Sequence, residues 1–381
     1  MTTFLDTEDL RLLENVVDEL LRPSHESRSA SEIWTTSVEL GWPAMMLAPD
    51  DGGLGGGATA LGIIMKGVGR NPHALPYLST AIAAALLTGD VHTPDGQKLV
   101  ASIVDGKAVF GVALEEIFAT PDAIDLRLDA SGSGGTISGQ SRLVFDYAAA
   151  SHLLVPVVND RGAIDLAVVD RLAPGMLVSS QEIASSHLAH RITFADVAVD
   201  HVVTRPDMHE RLEAGRELAI VGLCAEACGV MTELNRLTKD HLKTRQQFGL
   251  ALSQFQVLQH RMVNMAIDEQ QSLAIAKRAA QLCDARSPDR HRHLAAAKAF
   301  VNLASRRVAE ACVQLHGGIG VTEEFIVGSY LRRILSIAAT LGDADSHIET
   351  LAEIAGPLPF QKWPEPPSEV RPVSVAAVAT A

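Results

Sequence analysis

The sequence predicts a mainly α-helical protein with an antiparallel β-domain between two helical regions, and three observations support this. Aromatic residues are only 4% of the 381 residues, while alanine and leucine are abundant, which favours close-packed helices over a large β-sandwich. Apolar residues follow a helical period near both ends of the chain. The middle has short Val-, Ile- and Leu-rich runs between turn residues. We therefore expect an N-terminal helical domain over 1–107, a β-domain over 108–205, a helical bundle over 206–356 and a Pro-rich tail over 357–381.

The N-terminal region is expected to contain several helices. Leu10, Leu13, Val17 and Leu20 lie at helical spacing, and Pro23 ends that pattern. Further helices are expected over about 30–40, 58–70 and 78–87. Each is followed by turn residues, so short helices joined by tight loops are predicted.

The glycine-rich stretch 50–58, DDGGLGGGA, has the glycine content of a phosphate-binding loop. No Lys-Ser or Lys-Thr pair follows it, and no strand-to-helix unit surrounds it. We interpret it as an interhelical loop.

The β-domain is predicted from apolar runs of strand length. These runs are VFGVAL, GTISG, SHLLVPVV, AIDLAVVD and RITFADVAV. Turn sequences such as SGSGG and NDRG separate them. Their spacing indicates an antiparallel domain of about 100 residues.

Long helices are predicted from about residue 206 onward, and three apolar stripes mark them. The stripes are Leu223, Ala227, Val230, Leu234 and Leu237; Phe255, Leu258, Met262 and Met265; and Phe300, Ala304, Val308, Ala311 and Leu315. Together with a break at Ser287–Asp289, they predict a four-helix bundle. Thr322 is the expected N-cap of the last long helix, with Glu323 and Glu324 in its first turn.

Charge and cysteine content exclude several classes of protein. The chain has 46 acidic and 32 basic residues, and a net charge of −14 argues against a nucleic-acid-binding protein. Cys224, Cys228, Cys283 and Cys312 lie in apolar helical patterns, so we expect buried thiols in a reducing cytoplasm rather than metal ligands. The N-terminus lacks the apolar segment of a signal peptide, and no apolar run reaches the ~18 residues of a membrane helix. A cytoplasmic protein without membrane association is therefore expected.

Two motifs could carry chemistry. The first is TRQQFG, residues 244–249, in which Arg245 is a cation near a helix end that could meet a phosphate. The second is QLHGGIGV, residues 314–321, whose glycines permit close backbone approach to a ligand. Each also has an ordinary structural explanation. The first could be a surface arginine with a core phenylalanine, and the second a helix-ending turn in which His316 packs.

The order of these features resembles the acyl-CoA dehydrogenase family over about residues 5–355. The resemblance is carried by LGWPAMMLAPDDGGLG, by TRQQFG with the following FQ, by QLHGGIG and by YLRR. It implies the family's fold, with a helical domain, a β-domain and a four-helix bundle. It also implies an FAD cofactor, a tetramer, and oxidation of the Cα–Cβ bond of an acyl-CoA. Electrons would then pass to an electron-transfer flavoprotein.

The sequence departs from the family at the catalytic base. Family members remove the substrate α-proton with a Glu in a YEGT-like segment. Counting from Tyr330–Arg333 places Leu341 at that position, with Gly342 beside it, and leucine cannot accept a proton. The family's alternative position, near the start of the first bundle helix, is Ala219. A shift of the helix start would bring Glu217 toward it.

The flavin-ring half of the family's site is also altered. The segment that matches the TEPxAGSD-like signature is Val112–Asp125, which lacks the Gly and Ser of that signature, and Ser141 stands at a family Lys position. The residues that a neighbouring subunit contributes around the ADP half of FAD are retained, namely Arg245, Phe248, Gln256, Gln314, Gly317 and Gly318.

The resemblance therefore implies a non-catalytic, beta-type subunit of an actinobacterial heteromeric acyl-CoA dehydrogenase, with a steroid side-chain CoA ester as substrate class. It would complete the FAD site of a paralogous catalytic partner in an α2β2 heterotetramer. Two alternatives stay open. A self-sufficient homotetrameric enzyme would need a relocated base, for which the candidates are Glu115, Glu116, Glu217, Asp343 and Glu349. A flavin-free scaffold protein would have lost the cofactor altogether.

Overall fold

The structure, a computed structural model, describes residues 5–356 except 24–27, 72, 74, 90–92, 131–134, 182–188 and 323–324. Short helices come first along the chain, then a β-sheet region, then long helices. The predicted fold class, mainly α-helical with a β-domain, is confirmed. The Pro-rich tail over 357–381 lies outside the described residues.

The N-terminal helices are α1 (Thr7–Leu20), α2 (Ala30–Glu39), α3 (Gly57–Arg70), α4 (Tyr77–Leu87) and α5 (Pro94–Val104). The first four match the predicted helices, and α5 adds a helix whose bounds were not predicted. Side chains cap the N-termini of α1 and α2. The Asp6 carboxylate accepts hydrogen bonds from the backbone N–H groups of Glu8 and Asp9, and Ser29 and Glu32 form a capping box.

The glycine-rich stretch 50–58 is the predicted interhelical loop and leads into α3. No side chain within α3 caps its start at Gly57. Instead the carboxylate of Asp284, far along the chain, accepts hydrogen bonds from the backbone N–H groups of Ala58 (2.6 Å) and Thr59 (2.9 Å). The positive end of α3 is therefore neutralised by the protein itself rather than left open to a phosphate.

The sheet strands are β1 (Phe110–Val112), β2 (Arg127–Asp129), β3 (Thr136–Val144), β4 (His152–Val158), β5 (Ile164–Asp170), β6 (Met176–Gln181), β7 (Ala189–Ala198) and β8 (His201–Val203). Their order is β6-β7-β3-β2-β4-β5-β8, with β1 beside β4. Most strand pairs are antiparallel, as predicted, but β1 runs parallel to β4 and β2 meets β4 in parallel at one pair. A short helix, α6 (Leu114–Ile117), and two strands separate β1 from β4, which gives the chain the long connection that parallel pairing needs.

Both faces of the central strands are buried. Leu154 and Val168 belong to the apolar core that the sheet shares with the helices. Their neighbours Leu153, Val155 and Val169 point the other way into a second apolar cluster. One face of the sheet therefore packs against the helices, which positions the residues where the sheet meets them.

The C-terminal region contains α7 (Met208–Thr244), α8 (Gln256–Asp284), α9 (Arg290–His316), α10 (Ile326–Ala339) and α11 (Ala344–Ala355). The break between α8 and α9 includes the predicted Ser287–Asp289. The four cysteines are buried free thiols, as predicted. Among the helices of the described ranges, none combines the length and hydrophobicity needed to cross a bilayer.

The predicted helix start at Thr322 is wrong. The α10 helix begins at Ile326 after Phe325, and Thr322 instead ends a 3₁₀ turn over Gly317–Val321. The Thr322 hydroxyl donates to the Ile319 carbonyl oxygen at 3.0 Å, so it is used within that turn. The neighbouring Glu323 and Glu324 lie outside the described residues.

The closest helix crossing joins α3 and α7. A Cβ on Gly229 would overlap the Lys66 carbonyl oxygen, and a Cβ on Gly69 would overlap that of Glu226. The two glycines therefore let the backbones touch, which ties the N-terminal helices to the bundle.

Candidate functional site

A β-hairpin with a two-residue turn follows α7 and carries predicted site residues. Its strands are β9 (Gln246–Gln247) and β10 (Leu250–Ala251). Phe248 and Gly249 form the tip with φ angles of 55° and 80°. Two central residues at positive φ give a type I′ turn, which favours Asn-Gly and disfavours a bulky first residue. Arg245 is the C-cap of α7 and is exposed.

The Phe248 side chain is 91% exposed, and its ring touches Phe255 edge-on with 6.3 Å between ring centroids. Fully burying a phenylalanine is worth about 1.5–3 kcal/mol. The chain therefore holds a large apolar ring in water on a strained backbone. This combination is typical of a surface that a ligand or another subunit covers.

The start of α8 lies beside the hairpin. Its N-cap is Phe255, and its first turn has no acidic residue. In the described part of the chain, no side chain accepts a hydrogen bond from the first-turn N–H groups. Gln256, the first helical residue, is exposed. An uncapped N-terminus of a long helix presents free N–H donors and a partial positive charge to an anion.

The C-terminal end of α9 exposes the backbone of two glycines. Gly317 has a φ of 64° and a ψ of −142°, a conformation that is reserved for glycine. Among the described residues, no atom lies within 4 Å of a Cβ placed on Gly317 or Gly318, and both residues are exposed. Gln314, one turn earlier, is also exposed. The chain leaves free space where these backbone atoms could approach a ligand.

Two stacked histidines bring the ends of α7 and α9 together. His241 and His316 have ring centroids 4.4 Å apart. Burial lowers the pKa of both rings, and the charges of His316 and Arg245 lower that of His241 further, so both are neutral at pH 7. The Nδ1 of His316 lies 2.8 Å from the Cys312 carbonyl oxygen, consistent with the predicted packing of His316 in the turn.

The residues at this end of the bundle fit the diphosphate and adenosine part of FAD. The predicted Arg245, Phe248, Gln256, Gln314, Gly317 and Gly318 are all exposed here. An arginine, an uncapped helix start and unobstructed glycines are the groups that bind a diphosphate. We call this region the bundle end.

The predicted base position, Leu341, is buried and held on both sides of its backbone. Its φ is 56°, and its side chain is 4% exposed. Its N–H donates to the Glu115 carboxylate at 2.6 Å, and its carbonyl oxygen lies 3.0 Å from His347 Nε2. Glu115, a candidate base, thus serves to fix the backbone of Leu341.

Two α9 side chains hold the end of α10 just before Leu341. Lys298 Nζ donates to the Ile337 carbonyl oxygen at 2.6 Å and to Asn302 Oδ1 at 3.1 Å. The Asn302 amide donates to the Ala338 carbonyl oxygen at 3.1 Å. Lys298 is fully buried, and that burial lowers its pKa to about 8. We call these α9 contacts and the two backbone contacts of Leu341 the Leu341 clamp.

Two further candidate bases are occupied by structural contacts. Glu116 accepts a hydrogen bond from the backbone N–H of Arg142 at 2.5 Å. Glu217 pairs with Arg290 at 2.7 Å and with His291 at 3.4 Å. Both carboxylates therefore have roles in packing.

The remaining positions offer no base in the interior. Asp343 caps α11 by accepting from the Ser346 N–H at 2.9 Å, and this hydrogen bonding lowers the pKa of Asp343. Glu349 is exposed on α11. Ala219 is fully buried and apolar.

A small cavity with three charged groups in its lining lies between α3, α4, α7, α10 and the sheet, and sequence reasoning missed it. Asp146, with a φ of 59°, accepts a hydrogen bond from the Ser79 hydroxyl at 2.6 Å. Glu226 and Arg333 form a buried ion pair at 2.6 Å. Burial raises the pKa of Asp146 to about 6, and the Glu226 charge adds to this rise while Ser79 and Arg333 oppose it. The signal was a single acidic residue inside the apolar run LVFDYA.

The volume of this cavity is ≈ 60 Å³. That is room for a few water molecules, whereas ligand pockets have roughly 300–1,000 Å³. An acyl chain does not fit. The residues around Leu341 therefore do not fit a reacting substrate, in contrast to the fit at the bundle end.

Comparison with known proteins finds similar proteins over most of the chain. Residues 208–356 match the family model for the acyl-CoA dehydrogenase C-terminal domain. Acyl-CoA dehydrogenase FadE27 of Mycobacterium tuberculosis is 24% identical over 374 residues, which cover 92% of this chain and 97% of that protein. A variant of the Tcur3481–Tcur3483 steroid ACAD is 25% identical, with a TM-score of 0.76 over 91% of this chain and 98% of that one. The ChsE4–ChsE5 complex from Mycobacterium tuberculosis is 22% identical, with a TM-score of 0.77 over 94% and 100%.

These matches show that the chain has the acyl-CoA dehydrogenase fold, and they support its assignment to that family of FAD-dependent oxidoreductases. FAD is the cofactor of that family, and its assignment to this chain follows from the same matches.

Proposed function

We propose that this chain is the non-catalytic subunit of a heteromeric, FAD-dependent acyl-CoA dehydrogenase. In this proposal it completes the ADP half of the FAD site of a paralogous catalytic partner in an α2β2 assembly. The observation that carries the proposal is the contrast between an open bundle end with cofactor-binding groups and a filled interior around Leu341.

The proposed task of this chain is binding. When bound, FAD supplies the acceptor for the hydride that leaves the substrate Cβ. The Arg245 guanidinium would neutralise the cofactor's diphosphate, and the N–H groups at the start of α8 would donate to its oxygens. The backbone at Gly317 and Gly318 leaves room for the adenosine. The carboxylate that removes the α-proton would come from the partner.

The proposed substrate is an acyl-CoA, and the proposed electron acceptor is an electron-transfer flavoprotein. A steroid side-chain CoA ester is the first substrate to assay. The support for this choice is the sequence resemblance and the likeness to the structure of the Tcur3481–Tcur3483 steroid ACAD.

The decisive measurement is flavin content and subunit stoichiometry. We expect no bound FAD on the lone chain and one FAD per heterodimer when the chain is co-expressed with a paralogue encoded beside it. One FAD on each lone chain would contradict the proposal and favour a self-sufficient enzyme. No FAD under any condition would favour a scaffold protein.

A matched pair of variants sharpens this test. Arg245→Ala should release FAD from the co-expressed complex on gel filtration, because it removes the cation from the bundle end. Lys239→Ala removes an exposed cation about two turns earlier on α7 and should leave FAD in place. Equal retention by both variants would argue against a role for Arg245 in the shared site.

A further inference from the structure

A groove on the opposite side of α7 from the small cavity takes no part in the proposed function. It runs between α1 and α8 across α3 and α7 and has a volume of ≈ 460 Å³. This lies within the range of small-molecule sites, roughly 300–1,000 Å³. The groove is therefore large enough for a ligand, unlike the cavity near Leu341.

The floor of the groove is apolar. It is formed by Gly62 and Ile63 of α3 and by Val221, Ala225 and Cys228 of α7. Burial raises the pKa of the Cys228 thiol well above its usual value, so the thiol is neutral and adds to the apolar surface. Gly62 is the low point of the floor, because it has no side chain to fill the space.

The walls extend the apolar surface toward the rim. Leu10 of α1 forms one wall, and Leu273, Ala276 and Ala280 of α8 form the other. Leu273 is half-buried and packs against the main core, so this wall is part of the fixed structure. An alkyl chain lying between the walls would be removed from water on three sides.

The rim has an excess of positive charge. Arg11, Lys66 and Lys277 line it together with one acid, Glu14. Lys66 pairs with Glu14 at 3.0 Å. Within the described part of the chain, Arg11 and Lys277 form no ion pair and both are exposed. Two cations on opposite walls thus remain available to an anionic group at the mouth.

We propose that this groove binds a lipophilic carboxylate, with the alkyl chain along the floor at Gly62 and the carboxylate between Arg11 and Lys277. The apolar floor selects the chain, and the unpaired rim cations select a negative over a positive head group. The groove shares no lining residue with the bundle end, so its ligand would not compete with FAD for the same residues.

The test is isothermal titration calorimetry of the full chain with dodecanoate below its micelle concentration. We expect one saturable site, and at least ten-fold weaker binding of dodecyltrimethylammonium, which has the same chain and the opposite charge. No saturable binding of dodecanoate, or equal affinity for the two compounds, would overturn the proposal.

Two variants with matched controls locate the site. Gly62→Met should abolish binding, because its Cβ lies 3.7 Å from Val221 and fits, while the rest of the side chain fills the floor. Ala266→Met, on an exposed face of α8, should bind dodecanoate as wild type does.

The charge variants test the rim without altering the interior. Lys277→Glu should weaken dodecanoate binding by about five-fold or more, whereas Arg278→Glu, the next residue but outside the groove, should leave it unchanged. Equal effects of the two charge reversals, or wild-type binding by Gly62→Met, would sink the proposed location.

Discussion

The bundle end and the Leu341 clamp each hold a bulky residue in the left-handed backbone region, and they treat it in opposite ways. Phe248 has a φ of 55° and is 91% exposed. Leu341 has a φ of 56° and is 4% exposed, with hydrogen bonds on its own N–H and carbonyl groups. Each conformation costs of order 1–3 kcal/mol. At Leu341, hydrogen bonds and burial within the fold offset the strain energy. At Phe248, few contacts within the lone chain offset it.

We infer from this difference that Leu341 stabilises the fold and that Phe248 acts in binding. The contacts at Leu341 come from Glu115 of α6 and from His347 of α11, and Lys298 of α9 holds Ile337 just before it, so the position is closed from several directions. At Phe248 the strain is compensated only if something else covers the ring. We therefore expect changes in the clamp to lower the stability of the lone chain and changes at the hairpin tip to act on the assembled complex.

The largest expected effect is on the clamp, through Lys298→Ala. The variant leaves the Ile337 carbonyl oxygen and Asn302 Oδ1 without their buried donor and creates a cavity. The free energy of unfolding, measured by urea denaturation of the lone chain, should fall by about 3–4 kcal/mol. Lys277→Ala, on an exposed face of α8, is the control and should change it by less than about 0.5 kcal/mol. A similarly small change in both variants would mean that the Lys298 hydrogen bond to the end of α10 does not stabilise the fold.

A smaller loss is expected from Glu115→Ala. It removes the acceptor of the Leu341 N–H, and a hydrogen bond to a charged group contributes about 1.5–3 kcal/mol. Glu115→Gln keeps an acceptor oxygen and should recover most of that stability in the same denaturation experiment. Equal losses in the two variants would show that charge, rather than the hydrogen bond, holds the turn.

The two regions also differ in how far sequence could predict them. The bundle-end residues lie in short motifs at the ends of α7 and α9 and the start of α8, and the family resemblance of those motifs is what grouped them. The clamp joins Glu115, Lys298, Leu341 and His347, which are brought together only by tertiary packing. No periodicity could have paired them. The parallel pairing of β1 with β4 was missed for the same reason, since it joins distant parts of the chain. The start of α10 was missed because the Thr322 hydroxyl donates to the Ile319 carbonyl oxygen of the preceding turn instead of capping the helix.

The cavity next to the clamp should show a pH signature. The pKa of Asp146 is raised to about 6 in the folded chain, so the folded state holds a proton that the unfolded state has lost between about pH 4 and pH 6. The contribution of Asp146 to stability is therefore greatest at pH 4 and is lost as the pH rises through 6.

Asp146→Asn should remove that dependence. Relative to wild type, the variant should gain about 1–2 kcal/mol in its free energy of unfolding between pH 4.5 and pH 7. Urea denaturation at the two pH values checks this, and parallel pH dependence of the two proteins would contradict it.

The smallest energy change gives the sharpest comparison, because Phe248→Asn should act in opposite directions on the two forms of the protein. It creates the Asn-Gly pair that a type I′ turn favours and removes an exposed apolar ring, so the lone chain should gain about 0.5–1 kcal/mol in stability. The co-expressed complex should lose FAD more readily on gel filtration, because the variant removes an exposed ring from the proposed shared site. Phe248→Leu is the matched variant: it keeps the backbone strain and lacks the ring, so it should weaken FAD retention without the gain in stability. If Phe248→Asn instead destabilised the lone chain and left FAD retention unchanged, the hairpin would be part of the fold, and the contrast with Leu341 would disappear.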